Sequence, residues 1–388
     1  ADGKLILPSF ANMHTHISMS LLRGLGADLP LMDWLQRVIW PLEDRFVSFE
    51  FVRDGALIGI AEAIRSGTTL FMDMYFFEEA LAEVAQRASI RAGLGFGILD
   101  FPTKVAKTPE EYLQRAEGFI KDFKNSDLLF PVLCPHAVYT CSPETFKRVF
   151  ELALKEGVYV HTHAAETQQE VEASLERFGK RPVEHLYSLG VLSHMVLMAH
   201  VVWTEEEERE MIKEKGAKVL HCPESNLKLA SGIAPVSDYV RRDIHVCLGT
   251  DGPASNDNLD MLEELSTMVK LQKGANRNAK AIDARMGLKI ATEEGFRAVG
   301  IRAGRIEVGY EADLILVDTE KPHLQPLYDP IAQFVYSAKS SDIDTVICKG
   351  KVLMEKRELK TIDEEEVLFV AKKWKDRIED FLRRKILS

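Results

Sequence analysis

Two histidines, His14 and His16, stand two positions apart in FANMHTHISMS, directly behind the apolar run KLILP. On a strand, residues i and i+2 point to the same face, so both imidazoles would leave the strand end side by side. Neutral imidazole is the commonest nitrogen ligand of transition metals. An isolated pair also arises by chance, so its meaning rests on partners elsewhere in the chain. Such partners exist: HTHAAET carries His161, His163 and Glu166, LMAHVV carries His200, and LGTDGPASND carries Asp251. Each stretch reads as a strand ending in a polar group. Three imidazoles and a carboxylate suit Zn²⁺, with Fe²⁺ as the alternative. His161 and His163 share a strand face, and spacing alone does not choose between them. LLFPVLCPH at 128–136 offers no lysine to bridge two ions, which favours one metal.

These groups need a scaffold that brings strand ends together. Strands are predicted at Leu5–Leu7 running on to His16, at Thr68–Asp73, Arg91–Leu99, Leu128–His136, Val158–Glu166, Met195–Val201, Ala217–Pro223 and His245–Gly252. Helical patterns lie between them. PETFKRVFELALKEG has Ser142 as its N-cap and Gly157 as its stop, and TEEEERE spaces Thr204 and Glu207 as a capping box. Eight strand–helix units argue for an α/β fold, a (β/α)8 TIM-like barrel whose chemistry sits at the C-terminal strand ends. No GxGxxG or GxxxxGK[ST] turn follows the first strand, against an open doubly wound sheet. Past Gly300, AGRIEVGYEADLILVD and DTVICKGKVLMEKRELKTID read as short alternating strands with glycine turns. The expected organisation is a barrel hydrolase domain over 1–300, a small sandwich-like β domain over 301–362 and a C-terminal helix over 363–388.

The 388 residues are 46% hydrophobic and 28% charged with a net charge of −11, an ordinary globular balance. No basic surface awaits a phosphate backbone, so no nucleic-acid partner is expected, although a shaped pocket still takes a single nucleoside. Five scattered cysteines without a CxxC pair read as reduced thiols of a cytoplasmic protein. The apolar runs are too short for a membrane span, and no signal peptide is visible in a chain that opens at Ala1 rather than Met. A homo-oligomer is compatible with all of this.

PSFANMHTH, SGTTLFMDMYF, HTHAAET, HCPESNLKLASGIAPV, LGTDGPASND and EVGYEADLILVD follow one another across nearly the whole chain. This ordered set resembles the amidohydrolase superfamily, and within it the methylthioadenosine/S-adenosylhomocysteine deaminases and their chlorohydrolase-like relatives. The resemblance implies one divalent metal, held by His14, His16, His163 and Asp251, with Glu166 and His200 as catalytic groups. Only His163 opens the H-x-x-E pattern, which leaves His161 a packing or supporting role. Substrate contacts are implied for Trp34 and Glu43 in DLPLMDWLQRVIWPLEDR, for His136 in CPHAVYTCS, and for Glu166 and Asp251. Glu43 would accept hydrogen bonds from the ribose 2′ and 3′ hydroxyls. His221 is given a supporting role, and His185, His194 and His323 read as ordinary residues. Members of the resembled group begin with further short strands that complete the small β domain, so those N-terminal strands are expected to be missing here.

The implied reaction is metal-dependent hydrolytic deamination of an adenosine-type nucleoside: 5′-methylthioadenosine, 5′-deoxyadenosine, adenosine or S-adenosylhomocysteine. Asp251 would take a proton from the activated water and pass it to the departing amine. His200 would orient the nucleophile, and Glu166 would protonate the ring nitrogen beside the reacting carbon. The alternative is another mononuclear hydrolase of the group, acting on guanine, cytosine or an s-triazine. A non-catalytic barrel would have lost ligands that are all present here. The H-x-E…P-C-x-x-C signature of the other zinc deaminases is absent. Relatives that process S-adenosylhomocysteine carry arginines for its carboxylate. In RAGLGFGILD the first aligns with Phe96, and FPTKVAKTPEE offers Lys104 and Lys107 but no arginine. A lysine replaces a bidentate fork poorly, so an apolar 5′ group is expected to be preferred.

Overall fold

A computed structural model describes residues 3–386 of the chain. It opens with β1 (Lys4–Pro8) and then builds a barrel of eight parallel strands in chain order. These are β2 (Phe10–Thr15), β3 (Thr68–Tyr75), β4 (Arg91–Ile98), β5 (Leu129–Pro135), β6 (Tyr159–Ala164), β7 (Val196–His200), β8 (Lys218–His221) and β9 (Val246–Leu248). Helices cover the outside while side chains fill the inside, so β3 and β4 are buried at every position. That double burial is why they read as near-continuous apolar runs rather than alternating ones. The seam between β9 and β2 is tied by hydrogen bonds. Asp251 N donates to His14 O at 2.9 Å, and Asn12 and Thr250 exchange bonds of 2.8 and 3.0 Å.

The outer helices follow local rules. Ser142 Oγ accepts from Thr145 N at 3.2 Å to start the helix Pro143–Glu156, and Gly157, at φ 69°, stops it. The helix Glu206–Lys215 begins one residue later than the spacing suggests. Glu205 and Glu208 form its capping box, because the Thr204 hydroxyl is engaged at 2.7 Å with the Tyr239 hydroxyl.

A second, antiparallel sheet has the order β1-β10-β11-β12-β13, with β10 at Leu314–Asp318, β11 at Ile343–Cys348, β12 at Lys351–Glu355 and β13 at Glu358–Leu359. The single first strand expected from the sequence is therefore two strands in two sheets. Ser9 N still reaches Asp313 O at 3.1 Å on the small sheet, while Phe10 N reaches Gly67 O at 3.0 Å on the barrel, so the chain crosses over at this point. Lys4–Pro8 thus supplies one strand to the small sheet. No strand forms in the AGRIEVGYEA segment, and a helix, Pro330–Ser337, interrupts the expected β region. We propose the domain divisions at 300 and 362, with Lys4–Pro8 carried by the small sheet. Arg91 binds both Asp313 carboxylate oxygens, at 3.1 and 3.0 Å, joining barrel to small sheet through a buried pair. The C-terminal helix Glu364–Ile386 returns to the barrel helix Phe49–Arg65, where Trp374 Nε1 donates to Asp54 Oδ2 at 2.8 Å. Among the described residues, no helix is long and apolar enough to cross a membrane.

Candidate active site

The C-terminal ends of the barrel strands deliver the polar groups to one place. His14 and His16 come from β2 and its end, His161 and His163 from β6, His200 from β7, and Asp251 from the loop after β9. Ring nitrogens of His14, His16 and His163 lie within 4.8 Å of one another, as do ligand atoms of His14, His200 and Asp251. Asp251 Oδ1 is 3.4 Å from His14 Nε2 and 3.3 Å from His16 Nε2. His200 and Asp251 adopt left-handed backbone, at φ 70° and 62°. That conformation is costly for non-glycine residues and is typically retained at functional positions.

The outer ring nitrogens explain how the inner ones are aimed. His16 Nδ1 faces Met74 O at 2.5 Å, His163 Nδ1 faces His136 O at 2.9 Å, and His200 Nδ1 faces Asn226 Oδ1 at 2.9 Å. Against such acceptors Nδ1 carries the proton and Nε2 keeps its lone pair, the arrangement that orients metal-binding imidazoles. His14 Nδ1 instead meets another imidazole, His161 Nε2, at 2.9 Å. His161 thus packs behind His14, while His163 is the one of the pair whose ring nitrogen groups with those of His14 and His16. Asp73 secures the intervening turn, accepting from Thr15 Oγ1 and Ile17 N, each at 2.6 Å.

The donor set fits a divalent cation. His14 Nε2 is buried without a hydrogen-bond partner. Burial pulls the His14 pKa down to about 4. At His16 burial acts the same way, but the adjoining Asp251 carboxylate prevails and holds the pKa at about 9. Burial opposes ionisation of Asp251 as well, yet the adjoining His14 and His16 imidazoles hold its pKa well below the usual carboxylate range. The partnerless His14 Nε2, the neighbouring imidazoles and the ionised Asp251 carboxylate together form a donor set for a cation. Ser225 Oγ and Ser255 Oγ donate to Asp251 Oδ2 at 2.6 and 2.7 Å, which leaves Oδ1 turned to the histidines.

Glu166 lies beside this cluster, its Oε2 3.7 Å from His200 Nε2 and its Oε1 accepting from Ser231 Oγ at 2.9 Å. The Glu170 carboxylate clamps the turn beneath it, accepting from Ala165 N at 3.0 Å and Glu166 N at 2.7 Å. Burial pushes the Glu166 pKa up, which favours the protonated acid.

A cavity of about 310 Å³ opens above these groups. The helical segment Leu31–Phe46, which includes a π turn at Leu35–Ile39, forms one wall with Trp34 and Glu43. His136 forms another; burial keeps it neutral by lowering its pKa to about 3, and its Nδ1 is 3.0 Å from Thr140 Oγ1. All the expected substrate-contact residues thus line one cavity with the expected ligand and acid–base groups, apart from His14, which is fully buried and outside the lining.

Phe96 does not belong to that wall, contrary to expectation. Successive residues of a strand face opposite sides, and Gly97 takes the cavity side of β4 while Phe96 turns outward. The Phe96 ring packs 5.3 Å from Phe119, with the Arg115 guanidinium 5.3 Å from its centre. The cavity wall here is Gly97, Leu99, Phe101 and Pro102, with Lys104 beside them. His221 is buried with neither ring nitrogen bonded. His185 stacks on Phe178, and His323 pairs with Asp342. Sequence reasoning missed Tyr75, Asn226, Ser225, Ser231 and Ser255. Their only signal was membership of the motifs SGTTLFMDMYF, HCPESNLKLASGIAPV and LGTDGPASND.

The amidohydrolase family profile matches residues 5–353. The chain is 70% identical over 376 residues to a 5-methylthioadenosine/S-adenosylhomocysteine deaminase of Aquifex aeolicus, covering 97% of this chain and 87% of the relative. It is 41% identical over 375 residues to a 5′-deoxyadenosine deaminase of Methanosphaera stadtmanae, covering 96% and 88%. A zinc-bound crystal structure of an adenosine deaminase from Xanthomonas campestris superposes with a TM-score of 0.96 at 40% identity, covering 97% and 87%.

Proposed function

The chain belongs to the amidohydrolase family, and from that membership we propose that its cavity deaminates adenosine-type nucleosides hydrolytically, giving the inosine analogue and ammonia. It is a hydrolase of C–N bonds. The observation that carries the reading is the convergence of His14, His16, His163 and Asp251 beside Glu166 under a cavity walled by Trp34 and Glu43. His14, His16, His163 and Asp251 would hold one divalent ion. Zinc is favoured by the nitrogen-rich donor set and by the zinc-bound relative. When bound, such an ion supplies Lewis acidity that makes a water nucleophilic near neutral pH.

The remaining work falls to side chains. Asp251 accepts a proton from the attacking water, and His200 Nε2, aimed inward by Asn226, accepts a hydrogen bond that orients it. Glu166, buried and favouring its protonated form, donates to the ring nitrogen next to the carbon bearing the amine. Attack forms the C–O bond. Asp251 then returns its proton to the amine, the C–N bond breaks, and ammonia leaves. The new hydroxyl gives its proton back to Glu166 as the carbonyl forms. Glu43 accepts hydrogen bonds from the ribose hydroxyls, while Trp34 and His136 flank the nucleoside. The five cysteines are free and buried, which supports placing the protein in the reducing cytoplasm.

Ammonia release by the zinc-loaded enzyme tests this reading. The panel is adenosine, 5′-deoxyadenosine, 5′-methylthioadenosine and S-adenosylhomocysteine, with guanine and cytosine as contrasts. Turnover is expected for the adenosine series, and activity confined to a free base would overturn the proposal.

A further inference from the structure

Tyr75 takes no part in the chemistry above, yet it closes β3 at the cavity and lies within its wall. Its hydroxyl donates to Glu43 Oε1 at 2.7 Å. The two residues come from different elements of the cavity wall, Tyr75 from a barrel strand and Glu43 from the helix Trp40–Phe46. This hydrogen bond therefore ties the wall segment to the barrel through the carboxylate read as the ribose contact. A phenol has a single proton to donate. Once it is given to Oε1, Oε2 is left to accept from a ligand.

We propose that Tyr75 is a positioning residue for ribose recognition: it fixes Glu43 so that the free carboxylate oxygen receives the substrate's vicinal hydroxyls. The inference rests on the reading of Glu43 as the ribose contact. Without the phenol, the carboxylate turns about its side-chain bonds and must be ordered when substrate binds, so the loss falls on binding rather than on the chemical step. The electrostatics of Glu43 show two opposing effects. Burial raises the Glu43 pKa to about 7, and the Tyr75 hydrogen bond works against that rise and favours the ionised acceptor.

The test compares adenosine with 2′,3′-dideoxyadenosine on wild type, Tyr75→Phe, Glu43→Gln and the double variant, with rates normalised to bound zinc. That normalisation removes any misfolded fraction. Tyr75→Phe keeps the ring that fills the wall and removes only the donor. It should raise KM for adenosine about tenfold, the scale of a hydrogen bond to a charged group, with kcat within about twofold. It should leave kcat/KM for the dideoxy analogue unchanged. In the Glu43→Gln background, Tyr75→Phe should add little. If Glu43→Gln loses the preference for adenosine while Tyr75→Phe keeps it, the proposal falls and the ribose reading of Glu43 stands. If Glu43→Gln discriminates the two nucleosides as wild type does, the ribose reading falls and the proposal with it. An equal loss on both nucleosides with Tyr75→Phe would also overturn the positioning role.

Discussion

Replacing Glu166 with glutamine separates proton delivery from everything else this residue does. Glu166 is 4% exposed, and its surroundings constrain the substituted amide. Ser231 donates to Oε1, so the amide oxygen takes that place and the NH2 group takes the position of Oε2, 3.7 Å from His200 Nε2. The backbone clamp from Glu170 is untouched, because it uses the N–H groups of Ala165 and Glu166. Packing, metal content and substrate binding are therefore expected to survive. The variant loses only the acidic proton, since an amide is far too weak an acid to deliver one. A positioned general acid contributes roughly a hundred- to ten-thousand-fold, so kcat should fall by that factor, about 2.7–5.4 kcal/mol of transition-state stabilisation. A coupled ammonia assay gives kcat and KM, and elemental analysis gives the metal content. Near-normal turnover would show that another group protonates the ring. Loss of metal together with activity would show that Glu166 helps to hold the site, and the assignment as acid would fail.

Three further outcomes are expected. His163→Ala should lose bound metal and activity together, and elemental analysis of wild type should give one ion per chain; two ions would refute the mononuclear site. His161→Ala should weaken metal affinity roughly ten- to a hundredfold by freeing His14, as removal of such supporting partners does. His161→Gln, which retains an acceptor, should recover part of that affinity. Chelator competition measures both, and wild-type affinity in His161→Ala would end the supporting role. Phe96→Leu should leave the ratio of kcat/KM for 5′-methylthioadenosine and S-adenosylhomocysteine unchanged, because the ring faces Phe119 outside the barrel. It should lower stability by about 1–2 kcal/mol in denaturant titration, and a changed substrate ratio would contradict the outward orientation.

Alternation and strand-end chemistry were legible in the residues alone. Eight apolar runs separated by amphipathic stretches require a scaffold buried on both strand faces, and a parallel barrel provides one. Four of those runs end in His14 and His16, His163, His200 and Asp251, and a barrel brings its strand ends together whatever the details of packing. The convergence therefore follows from topology. What needed the tertiary structure was direction over distances of one residue. Phe96 and Gly97 are neighbours in the chain but lie on opposite faces of β4, and a one-residue uncertainty in alignment reverses the face. The chain from Lys4 to His16 reads as one run, yet it pairs first with Leu314–Asp318 and then with Thr68–Tyr75. Pairing partners hundreds of residues away leave no local mark. The same holds for the groups that aim the site. His161 behind His14, Asn226 behind His200, Ser231 on Glu166 and Tyr75 on Glu43 are all contacts between distant segments. Apart from His161, which its spacing from His163 already marks, each is an ordinary polar residue by type and spacing, and it acquires its role only when the barrel closes and brings the paired atoms within hydrogen-bonding distance.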